Sequence, residues 1–151
     1  MDWPGWPCWL GAGEAWLRRW RARWFLPRSL GERGERRAAA YLRRRGLKIV
    51  RQRYRTRFGE HDLVAVDGRT VVFVEVKTRR RHDCGRPAEA VDAYRQRRLV
   101  RAAAAFLKSH RLRDCPARFD VVEVVWPRDA PPQVRHIPHA FRAAGPLHFG
   151  R

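Results

Sequence analysis

The stretch Val71-Val72-Phe73-Val74-Glu75-Val76-Lys77 constrains this chain more than any other. A continuous run of β-branched and aromatic side chains suits a strand covered on both faces, at the centre of a sheet. Two charges close the run, and burying an ionised group without a partner is costly or forces it neutral. Glu75 and Lys77 are two residues apart, so both side chains leave the same face of the strand. Taken alone they are an ordinary ion pair at a strand end.

The preceding strand adds a third charge. Asp67-Gly68-Arg69-Thr70 reads as a four-residue hairpin loop that pairs Val66 with Val71. Counting back in antiparallel register sets Asp62 opposite Glu75 and Glu60 opposite Lys77, and directly opposed Cβ atoms lie about 4.5–5.5 Å apart. Carboxylates that close repel and raise one pKa unless a cation sits between them. Ligation by carboxylate oxygens suits Mg²⁺ or Mn²⁺, with water completing the shell. A lysine beside such an ion could hold or help deprotonate an attacking water while the ion neutralises phosphate charge. In the competing arrangement Glu60 pairs with Lys77 and no metal is involved. A one-residue slip of the hairpin would disperse the cluster.

Around this core the chain reads as an α/β domain. Ser29 and Glu32 fit a capping box, and helical pattern runs from there to Gly46, a C-terminal stop. Strands are expected at Leu47–Arg55, Glu60–Val66 and Val71–Thr78, then a basic loop over 79–87. A second helix follows from about Ala88 to His110, then strands at Phe119–Trp126 and, after Pro131-Pro132, Val134–Ile137. The order αβββαβ(β) indicates a mixed sheet flanked by helices. Residues 1–28 form a separate Trp/Arg-rich extension, 29–142 the domain, and 143–151 a tail.

Charge narrows the function. Lys+Arg number 34 against 15 Asp+Glu, a formal +19. So positive a potential attracts polyanions, of which nucleic acid is the commonest. All but three of the basic residues are Arg, and part of the excess can reflect genome composition. No apolar run approaches the roughly 20 residues that cross a bilayer, and no export signal is apparent. Cys8, Cys84 and Cys115 lack CxxC spacing, which argues against a disulfide framework or a Cys-based zinc site and makes the cytoplasm the expected compartment. The six His have no HExxH-type spacing, and His61 is expected to face away from Asp62. Trp16, Trp20 and Trp24 make one helical stripe among arginines, which could pack on the domain, lie on a membrane surface or contact nucleic acid.

At Asp62 and Glu75-Val76-Lys77 the chain resembles the PD-(D/E)xK nuclease core. More widely it is similar to the YraN family of predicted endonucleases, relatives of Holliday-junction resolvases. The resemblance rests on Gly31-Glu32-Arg33-Gly34-Glu35, Phe58-Gly59-Glu60-His61-Asp62-Leu63, Phe73 to Thr78, Arg118-Phe119-Asp120-Val121-Val122 and His136-Ile137-Pro138-His139-Ala140-Phe141. It covers roughly residues 30–142. It implies a restriction-endonuclease-like mixed sheet with helices on both faces, and metal-dependent phosphodiester hydrolysis, with structured DNA as the substrate class. On this resemblance Asp62 and Glu75 are metal ligands, Lys77 positions the water, and Glu35 is an additional acidic residue aimed at the metal. Gln96 stands where related nucleases carry a polar residue near the site, and Arg95 stands where lysine is expected. The relatives also imply a homodimer.

The basic residues flanking the expected site are the phosphate grips: Arg55 and Arg57 before the hairpin, and Arg79, Arg80 and Arg81 after Lys77. The leading expectation is an Mg²⁺- or Mn²⁺-dependent endonuclease acting on DNA, including branched DNA. The alternative is a non-catalytic nucleic-acid-binding protein that retains the fold.

Overall fold

A computed structural model describes residues 29–80 and 92–143. The expectations for the Trp-rich residues 1–28, for Arg81 and for most of the basic loop lie outside the described residues.

Helix α1 (Leu30–Arg44) begins at the expected capping box. The Glu32 N–H donates to Ser29 Oγ at 3.2 Å, and the Ser29 N–H donates to the Glu32 carboxylate at 3.3 Å. It ends where Gly46 takes φ +89, which lets the Leu47 N–H return to the Leu42 carbonyl at 3.1 Å. Three antiparallel strands follow: β1 (Lys48–Thr56), β2 (Gly59–Asp67) and β3 (Thr70–Arg79). Helix α2 (Ala93–Ser109) then crosses over to β4 (Ala117–Val125), which runs parallel to β3, and β5 (Gln133–Phe141) returns antiparallel to β4. The sheet order is β1-β2-β3-β4-β5, which buries β3 at the centre as its apolar run requires.

Alternation along the strands makes two cores. Ala38, Ala39 and Leu42 of α1 pack on Leu63, Val72, Val74, Val122 and Val124. Leu99, Phe106 and Leu107 of α2 pack on Val64, Val71, Phe73, Phe119 and Val121 on the other face. The result is a mixed five-stranded sheet with a helix on each face, an α/β fold consistent with the restriction-endonuclease-like class. Among the described residues no helix is long and apolar enough to cross a membrane.

Three expectations need correction. Helix α2 starts at Ala93 rather than near Ala88, because the extended Asp92 (φ −62, ψ 162) caps it, its carboxylate accepting the Arg95 N–H at 2.7 Å. Strand β5 continues through Pro138 to Phe141 instead of stopping at Ile137. A proline without an N–H is tolerated because β5 is an edge strand, and the register jumps between Phe119↔Phe141 and Val121↔Ile137. The β2–β3 turn is shorter than expected: Val66 pairs with Val71 as counted, but Asp67 also pairs with Thr70, leaving Gly68-Arg69 as the loop.

Gly34 explains part of the motif that opens α1. A Cβ built there would lie 1.7 Å from Thr78 Oγ1, so only glycine lets the helix settle against the end of β3.

Candidate active site

The end of β3 carries the site. Glu75 follows Phe73 on the α2 face, and its side chain is 2 % exposed. Burial of a carboxylate at that depth demands cations, and two arrive at the same oxygen. Lys77 Nζ is 2.8 Å from Glu75 Oε1, as their shared face of the strand dictates, and the Arg95 guanidinium reaches Oε1 from the first turn of α2. The second oxygen, Oε2, is buried with no hydrogen-bond partner.

Asp62 joins them by a route that the register count misses. The β2–β3 ladder ends at Leu63↔Val74, so Asp62 and Glu75 are not a ladder pair. Where the strands part, the Asp62 carboxylate accepts the Val76 N–H at 2.7 Å in place of a main-chain carbonyl. Asp62 is thereby tied to the residue after Glu75. Its carboxyl is pushed up to about 7, first by burial and then by the negative charge of Glu75, with the Val76 bond pulling the other way. Glu60 does not meet Lys77 either. It pairs with Arg55 across β1–β2 at 2.8 Å, because those two residues are directly opposed.

The donor set suits a hard divalent cation. Glu75 Oε2 is a carboxylate oxygen without a protein partner beside the Asp62 carboxyl, and carboxylate oxygens are the donors that a hard divalent cation takes. Among the described residues no group of three or more His, Cys, Asp or Glu side chains gathers to hold a metal. Mg²⁺ is usually held by one or two carboxylates, with water and substrate phosphate completing its shell.

The remaining expected residues are distributed as follows. Glu35 is near enough that its charge also acts on Asp62, but its carboxylate is gripped by Arg53, with Nε 2.8 Å from Oε2. Both of its oxygens receive Arg53 bonds. Gln96 is half-buried, one residue after Arg95 on α2. Arg57 is exposed with its guanidinium 4.7 Å from the Phe58 ring, and Arg55 is committed to Glu60. Arg79 is half-buried at the end of β3, its carbonyl accepting the Trp126 N–H at 2.7 Å, and Arg80 is exposed beyond it. His61 turns away from Asp62 into the core, 4.7 Å from the Phe73 ring, and desolvation lowers its pKa to about 4.

Two arginines complete the picture. Arg95 is one arginine of several on a basic helix, and its ion pair with Glu75 spans 20 residues. Arg53 has φ +49, uncommon for a residue with a side chain, and bonds both Glu32 and Glu35, which raises its own pKa.

The Asp62 shift has a measurable consequence. A carboxyl raised to about 7 in the fold and lower when unfolded stabilises the fold at acid pH, and that contribution is lost as pH rises through about 7. In EDTA, the melting temperature of the wild type should fall relative to Asp62→Asn between about pH 4 and pH 8. Parallel profiles for the two proteins would contradict the shift.

A model of the family described as "Uncharacterised protein family UPF0102" matches residues 34–124. The UPF0102 protein of Geotalea uraniireducens (strain Rf4) is 46% identical over 117 residues, 78% of this chain and 92% of that protein. UPF0102 protein STH1475 of Symbiobacterium thermophilum is 47% identical over 118 residues, 78% of this chain and 100% of the relative. UPF0102 protein GSU0650 of Geobacter sulfurreducens is 46% identical over 115 residues, covering 76% and 90%. The family model spans the positions of Asp62, Glu75 and Lys77, and the chain belongs to the UPF0102 family, the YraN family that its motifs resemble.

Proposed function

We propose that this protein is a divalent-metal-dependent endonuclease that hydrolyses phosphodiester bonds in DNA. The observation that carries the reading is Glu75 Oε2, a buried carboxylate oxygen without a partner, beside an Asp62 carboxyl that burial first and the Glu75 charge second push up to about 7. Asp62 and Glu75 would hold Mg²⁺ or Mn²⁺, which when bound supplies charge neutralisation at the scissile phosphate and acidifies water. Glu75 and Asp62 fix the position at which the phosphate must dock. Lys77, anchored at 2.8 Å on Glu75 Oε1, presents its remaining N–H donors to the attacking water or to a phosphate oxygen. Arg95, half-exposed and on the same oxygen, can exchange that contact for a phosphate. The +19 charge raises the local concentration of polyanion, without reading sequence.

A second reading is favoured by the same ion pairs. Lys77 and Arg95 already neutralise Glu75, as a fold retained for binding alone would require. Supercoiled plasmid separates the two. The nuclease reading expects nicked circles in Mg²⁺ or Mn²⁺ and none in EDTA. Persistent supercoiled DNA with both metals, across linear, flapped and four-way substrates, would leave the binder.

A further inference from the structure

From the β1–β2 turn to the first turn of α2, guanidinium groups and aromatic rings alternate along the surface. The Arg57 guanidinium lies 4.7 Å from the Phe58 ring centroid. Arg98 Nε donates to the Phe58 carbonyl at 3.1 Å, and its guanidinium lies 6.0 Å from the Tyr94 ring. The turn is held close to the helix, since a Cβ on Gly59 would meet the Arg98 carbonyl oxygen at 3.4 Å. At the far end, Tyr94 directly precedes Arg95, whose guanidinium bonds Glu75. Tyr94 is 64% exposed and is the one exposed large hydrophobic side chain among the described residues.

We infer that this ribbon binds an unpaired segment of nucleic acid and that Tyr94 is a stacking platform for a base next to the strand entering the site. The inference rests on the nuclease reading for the orientation of the strand, and it names the substrate class. The physical ground is the contrast between duplex and single strand. In a duplex the internal bases stack on one another and the outer surface is phosphate, which arginines alone can grip. The hydroxyl of an exposed tyrosine can meet a duplex phosphate, but the face of its ring gains from nucleic acid chiefly when a base is splayed out to cover it. Arginines spaced between rings then hold successive phosphates, the combination that single-strand sites use. Arg98 is suited to this, being braced by the Phe58 carbonyl and lying near the Tyr94 ring.

The test measures binding in EDTA, so that turnover plays no part. Fluorescein-labelled blunt duplex and the same duplex with a single-stranded dT tail are titrated at one salt concentration with wild type, Tyr94→Ala and Tyr94→Phe. Wild type should prefer the tailed duplex. Tyr94→Ala should weaken binding to it by about 5- to 100-fold, the worth of one stacked base, and leave the blunt duplex within about twofold. Tyr94→Phe, which keeps the ring, should bind as wild type. Equal losses on both duplexes, or no loss on the tailed one, overturn the inference. If the tail preference depends on Tyr94 yet no DNA is nicked in either metal, the hydrolase reading fails and the unpaired-strand site stands. If nicking occurs without that dependence, the reverse holds.

Discussion

Glu75→Gln should lower DNA cleavage by at least about 1000-fold while leaving DNA affinity within about threefold. Glutamine keeps the shape of the side chain and an oxygen to accept from Lys77 and Arg95, but it removes the charge that would attract a divalent ion. On the proposed nuclease reading, losing that charge forfeits both phosphate neutralisation and acidified water, several kcal/mol at about 1.4 kcal/mol per tenfold in rate. Affinity is spared because the substitution leaves every basic residue in place and removes one negative charge from the site. Folding is spared too: Lys77 and Arg95 both retain access to water, so neither is stranded. Gel-based nicking and fluorescence anisotropy on the same preparation decide the matter. Cleavage that survives Glu75→Gln excludes this carboxylate as a metal ligand.

Asp120→Ala should unfold the domain roughly 10–20 °C below wild type, with loss of structure rather than a selective loss of cleavage. Asp120 is fully buried on β4 and gathers three partners. Arg118 Nε lies 3.1 Å from Oδ1, His136 Nε2 lies 2.8 Å from Oδ2, and the His139 N–H donates to Oδ1 at 3.0 Å across the β5 irregularity. Arg118 also reaches Asp67 at the β2–β3 turn, so one carboxylate ties together three parts of the sheet. Burial pushes the Asp120 carboxyl up, but the bonds from His136 and Arg118 outweigh it and hold the group below its ordinary range. Removing one member of such a buried cluster costs about 3–5 kcal/mol, because among the described residues Arg118 keeps only Asp67 as a counter-charge, and the His136 ring and the His139 N–H lose their partner. The lowered pKa also fixes a sign: the contribution is present above the ordinary carboxylate range and disappears as pH falls through the native value. Thermal unfolding followed by circular dichroism measures both effects. A melting temperature within about 3 °C of wild type would exclude the hub role.

The features legible in the sequence were those that near neighbours determine. The capping box at Ser29 and Glu32, the stop at Gly46 and the pairing of Val66 with Val71 involve residues a few positions apart. The continuous apolar run of β3 announces a central strand because both faces of the sheet are covered there. Apolar pattern alone sets the start of α2 several residues early, since it does not reveal that Asp92, rather than an earlier residue, turns its carboxylate onto the helix. The full length of β5 is hidden from the sequence for a related reason: Pro138 breaks a strand anywhere except at an edge, and edge position is a property of the whole sheet.

The chain alone determined that carboxylates and a lysine gather near the end of a buried strand within a strongly basic protein, because side-chain alternation and net charge follow directly from residue order. Tertiary structure decided which partner each one meets. Asp62 takes the Val76 amide where two strands part, Glu75 receives Arg95 from a helix, and Glu35 is claimed by Arg53. Those choices turn on desolvation and on distances between elements remote in the chain, and such quantities exist only once the sheet and helices have packed.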